Sequence, residues 1–181
     1  TLTFEDTTGN GVELSINLGQ ANGQGTTVEF GGVDVSNVAG KVNAGGVLGD
    51  AVKVVFGSDS ANTGVTGTNN LIKLGAGVLE LRGDSTFFSG SVDVREGTVV
   101  AGHSDALGGI LGGGIIVGDA TVQFDAAPTS PINVTVRDGA QKAIIVLTNP
   151  AALELGKITF EDPFPVDATP TVLSVSSKGA P

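Results

Sequence analysis

The chain holds few residues able to do chemistry, and their spacing limits what that chemistry could be. His103 is the only histidine and cysteine is absent, so the sequence offers no imidazole cluster, thiolate metal site or disulfide. His103 lies in the turn AGHSDALGG and reads as a solvated turn residue. Neither a GxSxG nucleophile elbow nor a phosphate-binding loop occurs. The glycine runs GAG and LGGG have no helix after them whose N-terminus could hold a phosphate, so they read as turns. Acid–base work on a polysaccharide needs two or three carboxylates, or a carboxylate with Arg and Lys, converging on one face. Asp84, Asp93, Arg95 and Glu96 are the candidates. Asp93 and Arg95 point to the same side of one strand, which equally describes a solvated ion pair worth little energy. Asp59 and Asp119, in polar or glycine-flanked turns, are the candidates for calcium. The nonapeptide calcium repeat is absent, and solvation explains both better. Asp162–Pro163 is an acid-labile linkage that otherwise reads as a turn. The sequence therefore assigns no catalytic residue, no metal site and no cofactor.

The elements that would position these residues are short strands. Alternating apolar and polar runs recur over 71–126: LIKL from Leu71, VLEL from Val78, SVDV from Ser91, TVVA from Thr98, GIIVG from Gly114 and ATVQF from Ala120. Their period of two sends one set of side chains inward and the other to solvent. Further strands are expected at 2–4, 12–17, 27–30, 33–36, 52–56, 132–136, 143–147, 158–160 and 171–175. Between them lie clusters such as NGQG, NAGG, TGTNN, REG and RDG, where Gly and Asn accept positive φ. LIKL, VDV, IIV and INV begin at 71, 92, 115 and 132, in steps of 21, 23 and 17. Coils of about 20 residues are the range of β-solenoids. Helical turns are expected only at 104–107 and 150–155, the second with Asn149 as cap and Gly156 at its end.

Composition and charge narrow the class. The 181 residues suffice for one domain with a core. Glycine supplies 29 residues against 7 prolines without a triplet repeat, which excludes collagen. Apolar content of 40 % excludes a disordered chain. The net charge is −10 and the nine basic residues are scattered singly, so nucleic acid is disfavoured as a partner. No apolar run approaches the roughly 20 residues of a membrane span, and no membrane insertion by this segment is expected. Thr1, with no initiator methionine and no signal peptide, reads as the start of a processed form or an excised piece.

The segment GAGVLELRGDSTFFSGSVDVREGTVVAGHSDALGG resembles the passenger-associated transport repeat of bacterial autotransporters. The parts of that repeat fall on 75–77 (glycine-x-glycine), 78–81 (strand), 83–86 (glycine and polar cluster), 87–90 (aromatic turn), 91–94 (second strand) and 96–101 (turn into a third). The sequence 104–109 matches the polar-Ala-Leu-Gly turn that often ends the unit, and phenylalanine stands where the family usually has tyrosine. The resemblance covers about a third of the chain. It implies a right-handed parallel β-helix exported through the outer membrane and displayed on the cell surface.

Flanking segments depart from that pattern. Phe4, Phe30 and Phe56 are evenly spaced by 26, as stacked rings in successive coils would be. LTFED at 2–6 and ITFED at 158–162 nearly match, which would suit one long repeat of a larger protein. Four prolines fall within 158–181 and argue against central-strand pairing there. The expected organisation is a β-solenoid over 1–157, best matched over 71–126, and a cap, edge strand or linker over 158–181. A β-sandwich is the alternative. Leu74, Val78, Leu79, Leu81, Val92, Val94, Val99, Ile116, Val122 and Phe124 are the expected core, Val78 being in parity conflict with Leu79 and Leu81. Functionally the sequence reads as a non-enzymatic cell-surface or secreted protein, an adhesin stalk or surface antigen. The alternatives are a self-assembling subunit of an extracellular filament or layer, and a carbohydrate-active β-helix enzyme. Its partner would be a host or neighbouring-cell surface ligand, met by polar turns such as 58–69 or 103–109, or another copy met through the solenoid ends.

Overall fold

The computed structural model describes residues 2–4, 12–18, 26–46, 52–58, 63–148, 153–161 and 171–177. Fifteen strands are present: β1 Leu2–Thr3, β2 Val12–Leu18, β3 Thr26–Phe30, β4 Val33–Asp34, β5 Gly40–Gly46, β6 Val52–Phe56, β7 Val65–Thr66, β8 Leu71–Leu74, β9 Val78–Leu81, β10 Val92–Ala101, β11 Ile115–Phe124, β12 Ile132–Val136, β13 Ala143–Leu147, β14 Leu155–Phe160 and β15 Leu173–Ser177. A one-turn 3-10 helix over Gly109–Leu111 is the only helical element among the described residues. The fold is all-β. The helical turn expected at 104–107 is not formed; the chain instead makes two tight turns there, closed by Ala106 N–H to His103 O and Gly108 N–H to Asp105 O. Residues 149–152 of the second expected helical turn lie outside the described residues, and Leu155 already opens a strand.

Every strand pairing among the described residues is parallel. This overturns the sandwich alternative, whose hairpins would pair antiparallel. The strands form three ladders: β1-β4-β7, then β2-β5-β8-β10-β11-β12-β14, then β3-β6-β9-β10-β11-β13-β15. From β1 to β9 the chain visits the three in the same order three times. β10 and β11 are long enough to serve the second and third ladders at once. Hence the expected strands at 91–94 and 98–101 are one, as are those at 114–117 and 120–124. At the bend within β10, Gly97 has φ 71, and a Cβ there would lie 2.4 Å from Gly75 O. Only glycine fits that corner.

Parallel register stacks equivalent side chains in columns. One core column runs Val28, Val54, Leu79, Val99, Val122, Ile145 and Val175. A second runs Gly40, Leu71, Val92, Ile115, Val134 and Ile158. Each fully buried Val, Leu or Ile adds roughly 1.5–3 kcal/mol. Of the expected core, Leu79, Leu81, Val92, Val94, Val99, Val122 and Phe124 are buried, whereas Leu74, Val78 and Ile116 are only partly so. In LIKL the inward residues are Leu71 and Lys73, and in IIV they are Ile115 and Val117. Both runs are apolar on successive positions, so hydrophobicity alone leaves their parity open, and a slip of one exchanges the faces. The neighbouring Val92 and Val94 set the register.

Lys73 therefore stands in a core column between Val42 and Val94. It is fully buried, and its ammonium donates to Leu74 O (2.8 Å), Gly75 O (2.6 Å) and Glu96 O (3.2 Å). Burial lowers its pKa to about 8, against a smaller upward pull from Glu96.

The flanks also differ from expectation. β5 and β7 are unexpected strands, and they overlap the clusters NAGG and TGTNN that read as turns. Gly40 is tolerated in a strand because a Cβ there would lie 2.9 Å from the Phe4 ring. Phe30 and Phe56 are ladder partners with ring centroids 5.8 Å apart and planes at 73°, an edge-to-face contact. Phe4 is buried in the ladder of β1 and belongs to no common stack with them. The near-identical pentapeptides likewise sit on different ladders, Leu2 on the first and Ile158 on the second. The boundary at 157/158 falls inside β14, and β15 extends the third ladder beside β13.

Two measurements test this register. Leu81→Ala removes a buried column residue and should cost about 2–5 kcal/mol in chemical denaturation. The folded pKa of Lys73 lies below its unfolded value of 10.5, so the unfolded state binds more protons between the two. Stability should then rise with pH from about 8 to about 10.5, and fall back as pH drops through 8. Denaturation midpoints across that window should lose this slope in Lys73→Met.

Candidate functional site

Of the sequence candidates, Asp93, Arg95 and Glu96 come together, and Asp84 does not join them. Asp93 lies in β10 between the inward Val92 and Val94, so it faces away from the core. Its side chain is only 3 % exposed because two guanidiniums cover it. Arg95 donates Nε to Asp93 Oδ2 at 3.0 Å. Arg137 donates Nε to Oδ1 at 3.1 Å and Nη2 to Oδ2 at 2.6 Å. That bidentate bond, outweighing partial burial, raises the Arg137 pKa further above its ordinary value.

The ladder explains the convergence. Val94, Val117 and Val136 are register partners, so Arg95, Gly118 and Arg137 follow them on three successive strands. Arg95 meets Asp93 from two positions along the same strand, while Arg137, with no side chain at Gly118 in its way, reaches across β11 to it. The result is a groove of about 280 Å³ lined by Arg95, Glu96, Gly118, Asp119, Arg137 and Asp138. Asp119 Oδ1 accepts the backbone N–H groups of Gln141 and Lys142 at 2.7 and 2.9 Å, closing the turn before β13. This gives Asp119 a local structural task in place of the calcium role considered from sequence; Asp59 lies outside the described residues. Glu96 Oε2 accepts Gly75 N–H at 3.1 Å.

Asp84 instead meets His103 and Asp105, their ligand atoms all within 4.8 Å of one another. Asp84 accepts from the backbone and hydroxyl of Thr86, which lowers its pKa. Asp105 accepts from Thr129 and Ser104. His103 Nδ1 accepts Asp105 N–H at 3.1 Å, so the neutral ring in this tautomer has its proton on Nε2 and no lone pair to give a metal. The arrangement is a hydrogen-bonded corner. A third ionic group joins Glu80 to Lys53 and Arg82. Burial pushes the Glu80 carboxyl up, but hydrogen bonds from Arg82 and Lys53 hold it below its usual range. Glu80 is thus a nearly buried, paired group, where parity alone suggested a solvated one.

Sequence reading missed Arg137 and the His103 corner. The signal was spacing: Asp84 and Asp105 are 21 positions apart, as Leu71 and Val92 are, and Arg95 and Arg137 are 42 apart. Comparison with family models, curated proteins and solved structures finds no match.

Asp93→Ala removes the acceptor of three charge-assisted hydrogen bonds from guanidiniums that solvent still reaches, and should cost about 1–3 kcal/mol in urea denaturation. Arg95→Gln, at a partner far more exposed to solvent, should cost about 1 kcal/mol or less.

Proposed function

We propose that this chain is a non-enzymatic structural protein of the bacterial cell surface: a right-handed parallel β-solenoid of autotransporter-passenger type, serving as adhesin stalk or surface antigen. The reading rests on one observation, that the chain returns repeatedly to the same ladders in parallel. Parallel crossovers are right-handed in about 98 % of cases, which favours that hand for the winding. The segment that resembles the passenger repeat spans β9, the corner at 82–91 and β10. The aromatic turn places Phe88 in the core and leaves Phe87 68 % exposed. In the next turn of chain Ile110 is 86 % exposed. Large apolar side chains displayed on a rigid corner suit contact with a partner surface. No cofactor enters this reading, and the acidic net charge suits a soluble exterior.

The turn at 103–109 is not a freely removable contact loop, because Ala106 and Leu107 are buried in the core. The appropriate test is Phe87→Ser with Ile110→Ser, assayed for attachment of labelled protein to host or bacterial cells. Attachment should fall while the denaturation midpoint stays put; unchanged attachment would move the contact elsewhere.

Self-assembly is the second reading, favoured by the last strands. Ile158, Phe160 and Val175 occupy core columns yet are about half exposed. Electron microscopy and light scattering separate the two, and single-chain particles are expected. Ordered polymers would favour the filament or layer subunit.

A further inference from the structure

The first ladder turns a small, ordered face to solvent. Asp34 and Thr66 are register partners on β4 and β7, and Gly67 bridges to Phe88 in parallel on the next turn of chain. Gly67 N–H donates to Phe87 O at 3.2 Å, and Ser89 N–H donates to Gly67 O at 2.9 Å. Val35, Val65 and Phe88 point inward and are buried. The residues that alternate with them point outward, so Asp34 with Ser36, Thr66 with Thr68, and Phe87 with Ser89 make three successive rows. Phe87 is the largest side chain of this face and the one aromatic on it. Ser36, Thr68 and Ser89 are exposed, and their hydroxyls have no partner among the described residues. Thr66 spends its proton on Val33 O at 3.3 Å, and Asp34 Oδ1 accepts Ser36 N–H at 2.9 Å. The six residues thus offer an aromatic face, free hydroxyls and one carboxylate, and they hold no cation.

We propose that this face binds one neutral hexopyranose residue of a cell-surface glycan, stacked on the Phe87 ring with its hydroxyls on Thr68 and Ser89. The face of an aromatic ring is electron-rich, and the C–H groups on one side of a sugar ring are polarised by their oxygens, so the two attract. The sugar hydroxyls both donate and accept, as the Thr68 and Ser89 hydroxyls do. An anionic sugar or a phosphate is disfavoured, because the face holds a carboxylate without a cation and the chain carries a net charge of −10. A protein partner is disfavoured by size. Away from the last strands, Phe87 and Ile110 are the only large apolar side chains so exposed among the described residues. A stable protein interface buries about 800 Å² on each partner around an apolar core, whereas one ring among hydroxyls matches one sugar. This inference rests on the adhesive reading above and names what the corner meets.

The test is titration of the full chain with methyl β-galactoside, methyl β-glucoside and methyl α-mannoside, following the phenylalanine ring signals by NMR. Sorbitol, a polyol without a ring face, and methyl glucuronide, an anionic sugar, are the controls. At least one neutral hexoside should shift the Phe87 signals in a saturable way, and both controls should act more weakly. Phe87→Leu keeps apolar bulk at an exposed site; it should hold the denaturation midpoint and lose affinity about tenfold or more, and Phe87→Tyr should retain it. No saturable shift with any of the three hexosides, an equal response to either control, or undiminished affinity in folded Phe87→Leu would each overturn the proposal. Cell attachment that falls in Phe87→Ser with Ile110→Ser while no hexoside binds would keep the corner as the contact and overturn the sugar alone.

Discussion

The backbone hydrogen bonds of each strand are met by a strand from another turn of the chain, in parallel, and the rest of the structure follows from this. Parallel strands cannot be joined by a two-residue hairpin, so every connection must carry the chain round to the start of the next strand. Here it does so through other short strands and tight corners in place of helices. Once the register is set, each inward position becomes a column that repeats from strand to strand. A residue is then judged by its column as much as by its neighbours in sequence. Gly97 has positive φ against the carbonyls of Gly75 and Gly77 for this reason: the corners stack as the strands do.

Columns also explain how a chain with so few ionic groups can bury several of them. Lys73 occupies an apolar column, and its ammonium turns to three backbone carbonyls at the bend. That position satisfies carbonyls that a valine could not reach, while burial draws down its basicity. Asp93 and Glu80 face away from the core yet are nearly inaccessible, each covered by one cation two positions along its own chain (Arg95, Arg82) and one that is distant in sequence (Arg137, Lys53). Buried carboxylates of this kind need their partners, because a lone one would bear the full desolvation cost.

Among the described residues β14 and β15 are the last strands of the second and third ladders, and they differ. β14 carries a register shift: Ile132 pairs with Leu155 and Val134 with Ile158, so Gly156 and Lys157 together oppose Asn133. Asn133 Oδ1 accepts the Lys157 N–H at 2.9 Å. A bulge with a lysine is one way proteins discourage further strands from joining an edge. β15 pairs with β13 in continuous register and has no such irregularity. The exposed Ile158 and Phe160 thus lie on the strand with the bulge, and Val175 on the strand in continuous register.

The sequence by itself determined the class and most strand positions from 71 to 147, and no long helix stands among the described residues. Short alternating runs bounded by glycine have few other solutions. It also placed Asp93 and Arg95 on one face, since two positions along a strand always share a side. It did not reveal β5, whose NAGG reads as a turn and whose Gly40 shows its reason only once the Phe4 ring is seen to occupy the space beside it. Nor could it choose the parity of LIKL and IIV, where adjacent apolar residues serve either face. Those choices belong to the tertiary structure, because parity depends on which valines lie alongside in the ladder. The same holds for the sites: Arg137 reaches Asp93, and Asp84 meets His103, only because parallel register brings residues one or two turns of chain apart onto one surface.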